Sequence, residues 1–220
     1  DLDDLRALMT ERTKLVTMVH TSNILGTINP IADAAKVAHN GGALFCVDGV
    51  AFAPHRMVDV QAFDVDFYVY SCYKVFGPHI GLMYGKYELL HEMDGLNHYF
   101  LAKDAVPYKF QPGNYNYELT YGLGGLPKYL EAVHDHHYPN ETDTAALQKY
   151  HKAHQLFADH EENLGEKLLN YLAGRSDLRI LGHKSAAQGL RVPTITFTHE
   201  SKQSPDIVKA MDGYNIGIRF

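Results

Sequence analysis

Hydrophobic positions in the first half of the chain fall in short continuous runs. Those in the second half fall mostly at helical spacing. Leu15 to His20 is the first apolar run and reads as a strand. Asn29-Pro30 then opens a helix, with Asn as the capping residue and Pro at the first helical position. Ile31, Ala34, Ala35 and Ala38 line one face of that helix, and Gly41-Gly42 ends it. Ala43 to Val47 is a second strand. Asp66 to Ser71, rich in aromatic and β-branched residues, is a third. Ile80 to Tyr84 is a fourth, ahead of a short helix from Lys86 to Met93. Apolar strands separated by helical segments predict an α/β architecture with a mostly parallel sheet covered on both faces.

The second half predicts a helix over Tyr117 to His134, burdened by Gly122, Gly124, Gly125 and Pro127 near its start. Thr144 to Leu172 is a long amphipathic helix. Leu147, Tyr150, Phe157, Leu164, Leu168 and Leu172 keep its spacing, and Gly174 stops it. Strands at Leu178 to Leu181 and Val192 to Thr198, a helix from Pro205 to Met211 and a strand from Asn215 to Phe220 follow. That order predicts a smaller α+β domain. Residues 1–139 are therefore expected to form part of a large domain and 140–220 part of a small one, hinged at Tyr138-Pro139-Asn140. The chain does not start with Met and stops within a strand-like pattern at Gly217-Ile218-Arg219-Phe220, so a piece of a longer protein is expected.

Composition narrows the function classes. With 45% hydrophobic residues in 220, the chain can build a core and is not a disordered segment. A net charge of −6 offers no basic footprint for nucleic acid or an anionic membrane surface. No apolar run approaches the roughly 20 residues that span a bilayer, and the acidic start Asp1-Leu2-Asp3-Asp4 is not a secretory signal. Cys46 and Cys72 lie in or beside apolar runs without a CxxC, so a disulfide framework is not expected and a reducing cytoplasm is. The 14 histidines form no HExxH, and His134-Asp135-His136-His137 reads as a solvated helix end rather than a metal site.

Candidate chemistry sits at the strand ends. In parallel α/β sheets, ligands bind beyond the carboxyl ends of the strands. The first strand ends in His20-Thr21-Ser22-Asn23, the second in Asp48-Gly49, and the third in Ser71-Cys72-Tyr73-Lys74 followed by Gly77-Pro78. If these strands are neighbours, Asn23, Asp48, Ser71 and Lys74 converge. An amide, a carboxylate, a hydroxyl and an amine suit a cofactor with a ring nitrogen, a phenolic oxygen, a phosphate and an aldehyde. Lys74 can condense with the aldehyde as a Schiff base, and Asp48 can pair with a protonated ring nitrogen. Asn23 can donate to the phenolate, and Ser71 and Tyr73 can donate to the phosphate. Asp48 would equally suit a helix cap and Asn23 a turn, while Cys72 reads as a small filler and Cys46 as core. No GxGxxG or GxxxxGK[ST] supports a nucleotide-binding domain instead.

The run His20-Thr21-Ser22-Asn23-Ile24-Leu25-Gly26-Thr27-Ile28-Asn29-Pro30, then Val47-Asp48-Gly49-Val50, Pro54-His55, Val58-Asp59-Val60, and Asp66 through Pro78 stand in one order. Together they resemble the class V aminotransferase family, and within it the cysteine-desulfurase-like branch. The resemblance implies a pyridoxal 5′-phosphate (PLP) dependent transferase of fold type I. Its mostly parallel sheet is flanked by helices, and a smaller α+β domain follows. It implies an enzyme acting on an amino acid, by C–S cleavage, transamination or a lyase step, with Lys74 as the Schiff-base lysine. It also implies a homodimer, in which the stretch Gln111-Pro112-Gly113-Asn114-Tyr115-Asn116-Tyr117-Glu118 corresponds to a loop that reaches the partner subunit's phosphate. The cofactor-binding set implied is Asn23, Asp48, Ser71, Tyr73, Lys74 and Asn114, with no metal.

Tyr73 stands where a His precedes the lysine in true desulfurases, as a Tyr does in the cysteine-desulfurase-like branch. The chain departs from the family pattern at Ala51, where relatives carry a ring-contacting Gln or His, and at Asn114, where the loop carries Thr. The family's N-terminal third before Asp1 and its far C-terminal part after Phe220 are expected to be missing. The rival expectation drawn from Ala51, Asn114 and the missing termini is a non-catalytic PLP-fold protein that binds or scaffolds.

Overall fold

The computed structural model describes residues 1–111 and 113–220. They divide into two compact units, Asp1–Thr21 with Asn29–Phe157, and Ser22–Ile28 with Ala158–Phe220.

The first unit is built on a four-stranded sheet of order β1-β2-β3-β4. Its strands are β1 (Leu15–Val19), β2 (Leu44–Asp48), β3 (Phe67–Ser71) and β4 (Gly81–Gly85). β1, β2 and β3 run parallel, and β4 returns antiparallel to β3. β1 and β2 are linked by α2 (Ile31–Asn40), whose Ile31, Ala34, Ala35 and Ala38 are buried as the spacing predicts. Small alanines let this helix lie close to Phe45, Val47 and Tyr68 on the sheet. Asn29 does not cap α2. Pro30 holds the cap position, and the Asn29 side-chain amide instead donates to the Val19 carbonyl at 2.8 Å, tying the helix start to the end of β1.

The sheet is mostly parallel and flanked by helices, as the sequence predicts. Val16, Met18, Phe45, Val47, Tyr68, Tyr70 and Tyr84 form or pack on the core on the α2 side, whereas on the alternate positions Phe67 is buried and Leu15, Val19 and Met83 are exposed. The β2–β3 segment is made of turns rather than a helix. An unanticipated helix, α1 (Leu2–Leu8), precedes the sheet. Asp1 and Asp4 form its reciprocal capping box, and Leu2 and Leu5 pack on the core.

Beyond β4 come α3 (Tyr87–Glu92), α4 (Tyr117–Gly122) and α5 (Gly125–His137). The single helix expected over Tyr117 to His134 is two, broken at Leu123-Gly124, where the glycines make an interruption inexpensive. Between α3 and α4, Lys109 is buried, and its ammonium donates to the carbonyls of His91 at 2.9 Å, Met93 at 2.6 Å and Lys103 at 2.9 Å. At the end of α5, Asp135, His136 and His137 are exposed as expected, but His134 is not. His134 is fully buried, with Nδ1 on Asp135 at 2.9 Å and its ring against Tyr138. Among the described residues no cluster could hold a metal ion.

α6 (Ala146–Ala173) continues into the second unit, where β5 (Leu178–Leu181) and β6 (Thr196–His199) pair antiparallel, ahead of α7 (Ser204–Asp212). The strand expected at Asn215 to Phe220 does not form. A strand needs a neighbour for its backbone groups, and neither strand of the β5–β6 pair takes this segment. Arg191 organises this unit. Buried, it donates to the carbonyls of Leu25, His183, Val192 and Thr194, while the Val192 amide donates to Gly26 at 2.9 Å. Gly26, at φ +72, could not carry a side chain, because its Cβ would meet the Thr194 carbonyl at 2.3 Å.

Candidate active site

Three parallel strands end at one edge of the sheet, and their register brings the candidate residues together. Val19 stands opposite Asp48, and Asp48 opposite Val69. Backbone bonds continue past the strands: His20 N–H donates to Asp48 at 2.8 Å, and Gly49 N–H donates to Val69 at 2.8 Å. Side chains alternate along a strand. Asp48 follows the buried Val47, and Ser71 follows core-packed Tyr70, so Asp48 and Ser71 share the face turned away from α2.

Asp48 is exposed, and its Oδ1 accepts the Val50 amide at 2.9 Å, which orients the carboxylate over the turn after β2. A Cβ at Gly49 would crowd the Tyr68 ring, so any side chain there would force that buried ring to shift. Behind this turn His20 stacks on Phe52 at 3.5 Å, and its Nδ1 meets the Tyr68 hydroxyl at 2.8 Å. Burial pushes the His20 pKa down to about 3. Burial, then the Asp48 carboxylate, pushes the Tyr68 phenol up. The strand edge thus rests on an uncharged His–Tyr pair.

This pair carries a pH prediction. The folded-state pKa of His20 lies below its ordinary value of about 6.5, so folding favours the neutral ring. The contribution is full above about pH 6.5 and is lost as the pH falls towards 3, at a slope of about 1.4 kcal/mol per pH unit for one proton. Urea midpoints of the full-length protein between pH 7 and 4 should fall more steeply than those of the His20→Asn variant. Parallel curves would reject the assignment.

Lys74 lies in the 3-10 turn Cys72–Val75 that leaves β3, exposed, with Cys72 fully buried beneath it. The Gly77 amide closes the turn on the Cys72 carbonyl at 2.9 Å. Phe76 adopts the left-handed region at φ 68, a strained choice for a bulky residue, and its ring packs on Tyr129 and Phe157. Cys72 is therefore a filler, as expected. Cys46 is only half-buried, on the face of the sheet opposite the α2 core. Tyr73 is half-exposed, with its ring on His79, and Ser71 is half-buried.

Asn23 lies exposed on the turn Ser22–Gly26, within the second unit. Asn114 is exposed and irregular ahead of α4, whose cap is Asn116, and Pro112 beside it lies outside the described residues. Sequence reasoning passed over Thr21. It is buried at the end of β1, and its Oγ1 has no hydrogen-bond partner among the described residues. A threonine hydroxyl following a buried histidine at a strand end was the available signal.

The donor set at this edge, a carboxylate, two hydroxyls, an amine and the orphaned Thr21 hydroxyl, fits PLP. Strand-end chemistry of this kind on a mostly parallel sheet marks the class of α/β enzymes that bind a ligand beyond their strands. The aminotransferase class-V family model matches residues 1–220, and the chain belongs to that family.

An aminotransferase-like protein of Gibberella zeae is 38% identical over 100% of this chain and 51% of its own length. A cysteine desulfurase-like protein of Aspergillus flavus is 33% identical over 97% of this chain and 45% of its own. The crystal structure of the Escherichia coli cysteine desulfurase CsdA matches 100% of this chain and 51% of its own, with a TM-score of 0.75 at 26% identity. The fold is thus that of the PLP-dependent cysteine desulfurases, and the cysteine-desulfurase-like resemblance of the sequence holds. The chain spans about half the length of the relatives it matches.

Proposed function

We propose that the protein is a PLP-dependent enzyme acting on an amino acid, by C–S cleavage of a cysteine-like substrate or by related aminotransferase or lyase chemistry. The observation that supports this reading best is the placement of Asp48, Ser71 and Lys74 at the carboxyl ends of adjacent strands. Bound PLP supplies an electron sink to a substrate amine. Lys74 would hold the cofactor through its amine and would move a proton at the substrate's α or β carbon. Asp48 would keep the ring nitrogen protonated, and Ser71 and Tyr73 would donate to the phosphate. A homodimer and a cytoplasmic location complete the proposal. No helix among the described residues is long and apolar enough to cross a membrane.

Reduction with borohydride tests the assignment directly. The full-length protein incubated with PLP, reduced and digested is expected to yield one modified peptide, carrying the adduct on Lys74. An adduct on another lysine, or none, rejects it. Ala51, in place of the ring-contacting Gln or His, favours a second reading, a protein that binds PLP without turnover. Stable PLP binding with no reaction across a panel of amino acids would select that reading.

A further inference from the structure

The loop from β3 to β4 carries Lys74 and a second feature that the proposed function leaves unused. The loop is closed at its base. Ser71 pairs with Gly81, and the Cys72 amide donates to the Ile80 carbonyl at 2.8 Å. Across it the rings of Tyr73 and His79 lie face to face, with centroids 5.0 Å apart and planes 10° from parallel. Both residues are exposed, Tyr73 at 48%. An exposed tyrosine ordinarily samples several rotamers, and ordering it costs conformational entropy. A parallel partner ring on a closed loop removes that freedom beforehand, which raises affinity for whatever the hydroxyl binds.

We infer that His79 is a positioning residue for Tyr73: its stacked ring holds the phenol in one orientation beside Lys74, so that the hydroxyl is preset to donate to the cofactor phosphate. The inference rests on the PLP reading above and deepens it. It also gives a physical account of the Tyr that stands at this position. A phenol places its donor farther from the backbone than an imidazole does, at the end of a longer lever, and a longer lever needs a brace. His79, on the opposite limb of the same loop, is that brace. The stack holds Tyr73 by its ring face, so a phenyl ring at position 79 serves as well as an imidazole.

The test is PLP binding to the full-length apo protein, followed by visible absorbance, with phosphate-free pyridoxal as the comparison ligand. His79→Ala is expected to weaken PLP binding roughly three- to tenfold, the range of an aromatic pair. His79→Phe, which keeps a stacking ring, is expected to stay within about twofold of wild type. Tyr73→Phe is expected to weaken PLP binding about tenfold, as loss of a hydrogen bond to a charged group does. Adding His79→Ala to Tyr73→Phe should then change nothing further. Pyridoxal binding should be unaffected in every variant.

Wild-type affinity in His79→Ala overturns the inference, as does a loss in His79→Phe equal to that in His79→Ala. A loss that persists in the Tyr73→Phe background, or one shared by pyridoxal, also overturns it. Failure of the wild-type protein to bind PLP would overturn the functional proposal and this inference together. Normal wild-type binding with unresponsive variants overturns this inference alone.

Discussion

Lys74→Ala in the full-length protein is expected to abolish the visible absorption band that PLP gives when held by a lysine, and to lower any turnover by at least about a thousandfold. Removing a covalent-catalysis residue generally costs that much or more, because the remaining groups cannot replace the bond it makes. The side chain is exposed, and the turn that carries it is held by backbone bonds and by buried Cys72, so the fold should be unchanged. Non-covalent PLP binding through Asp48, Ser71 and Tyr73 should persist at reduced affinity. The spectrum and an amino-acid turnover assay check both statements. An unchanged band in the variant would mean that another lysine holds the cofactor.

The second large effect concerns stability. Lys109→Met is expected to destabilise the protein by about 3–5 kcal/mol, the range found when one partner of a buried charged interaction is removed. The Lys109 ammonium satisfies three carbonyls from two stretches of chain, and a Cβ placed on Gly95 would lie 2.9 Å from that of Lys109. Methionine keeps the stem but leaves the carbonyls of His91, Met93 and Lys103 without their donor. Urea unfolding of the full-length protein measures the loss. A difference under about 1 kcal/mol would show that these carbonyls find other partners, and that the segment between α3 and α4 does not depend on Lys109.

Much of the first unit was legible because its signals are local. Ile31, Ala34, Ala35 and Ala38 repeat at the helical period, and α2 buries those residues. The strand β5 falls where its apolar run placed it, at Leu178 to Leu181. The strand-end residues could be paired in advance because parallel strands joined by a helix must present their carboxyl ends on one side. Other features depend on partners distant in sequence. The direction of β4 follows from a closed loop rather than a crossover. Asn215 to Phe220 does not become a strand because it pairs with neither β5 nor β6. His134 looked like part of a charged helix end, yet Tyr138 and Asp135 enclose it. The burial of Lys109 and Arg191 has no local signal, and the carbonyls gathered around them make it tolerable.

The sequence by itself determined the family, the α/β class and the identity of Lys74 as the leading candidate, because ordered motif blocks and apolar periodicity are properties of neighbouring residues. The tertiary structure decided that Asp48 and Ser71 share one face of adjacent strands, that the Thr21 hydroxyl has no partner among the described residues, and that Tyr73 rests on His79. These depend on strand register and loop closure, which are set by backbone pairing across the fold and not by any local pattern.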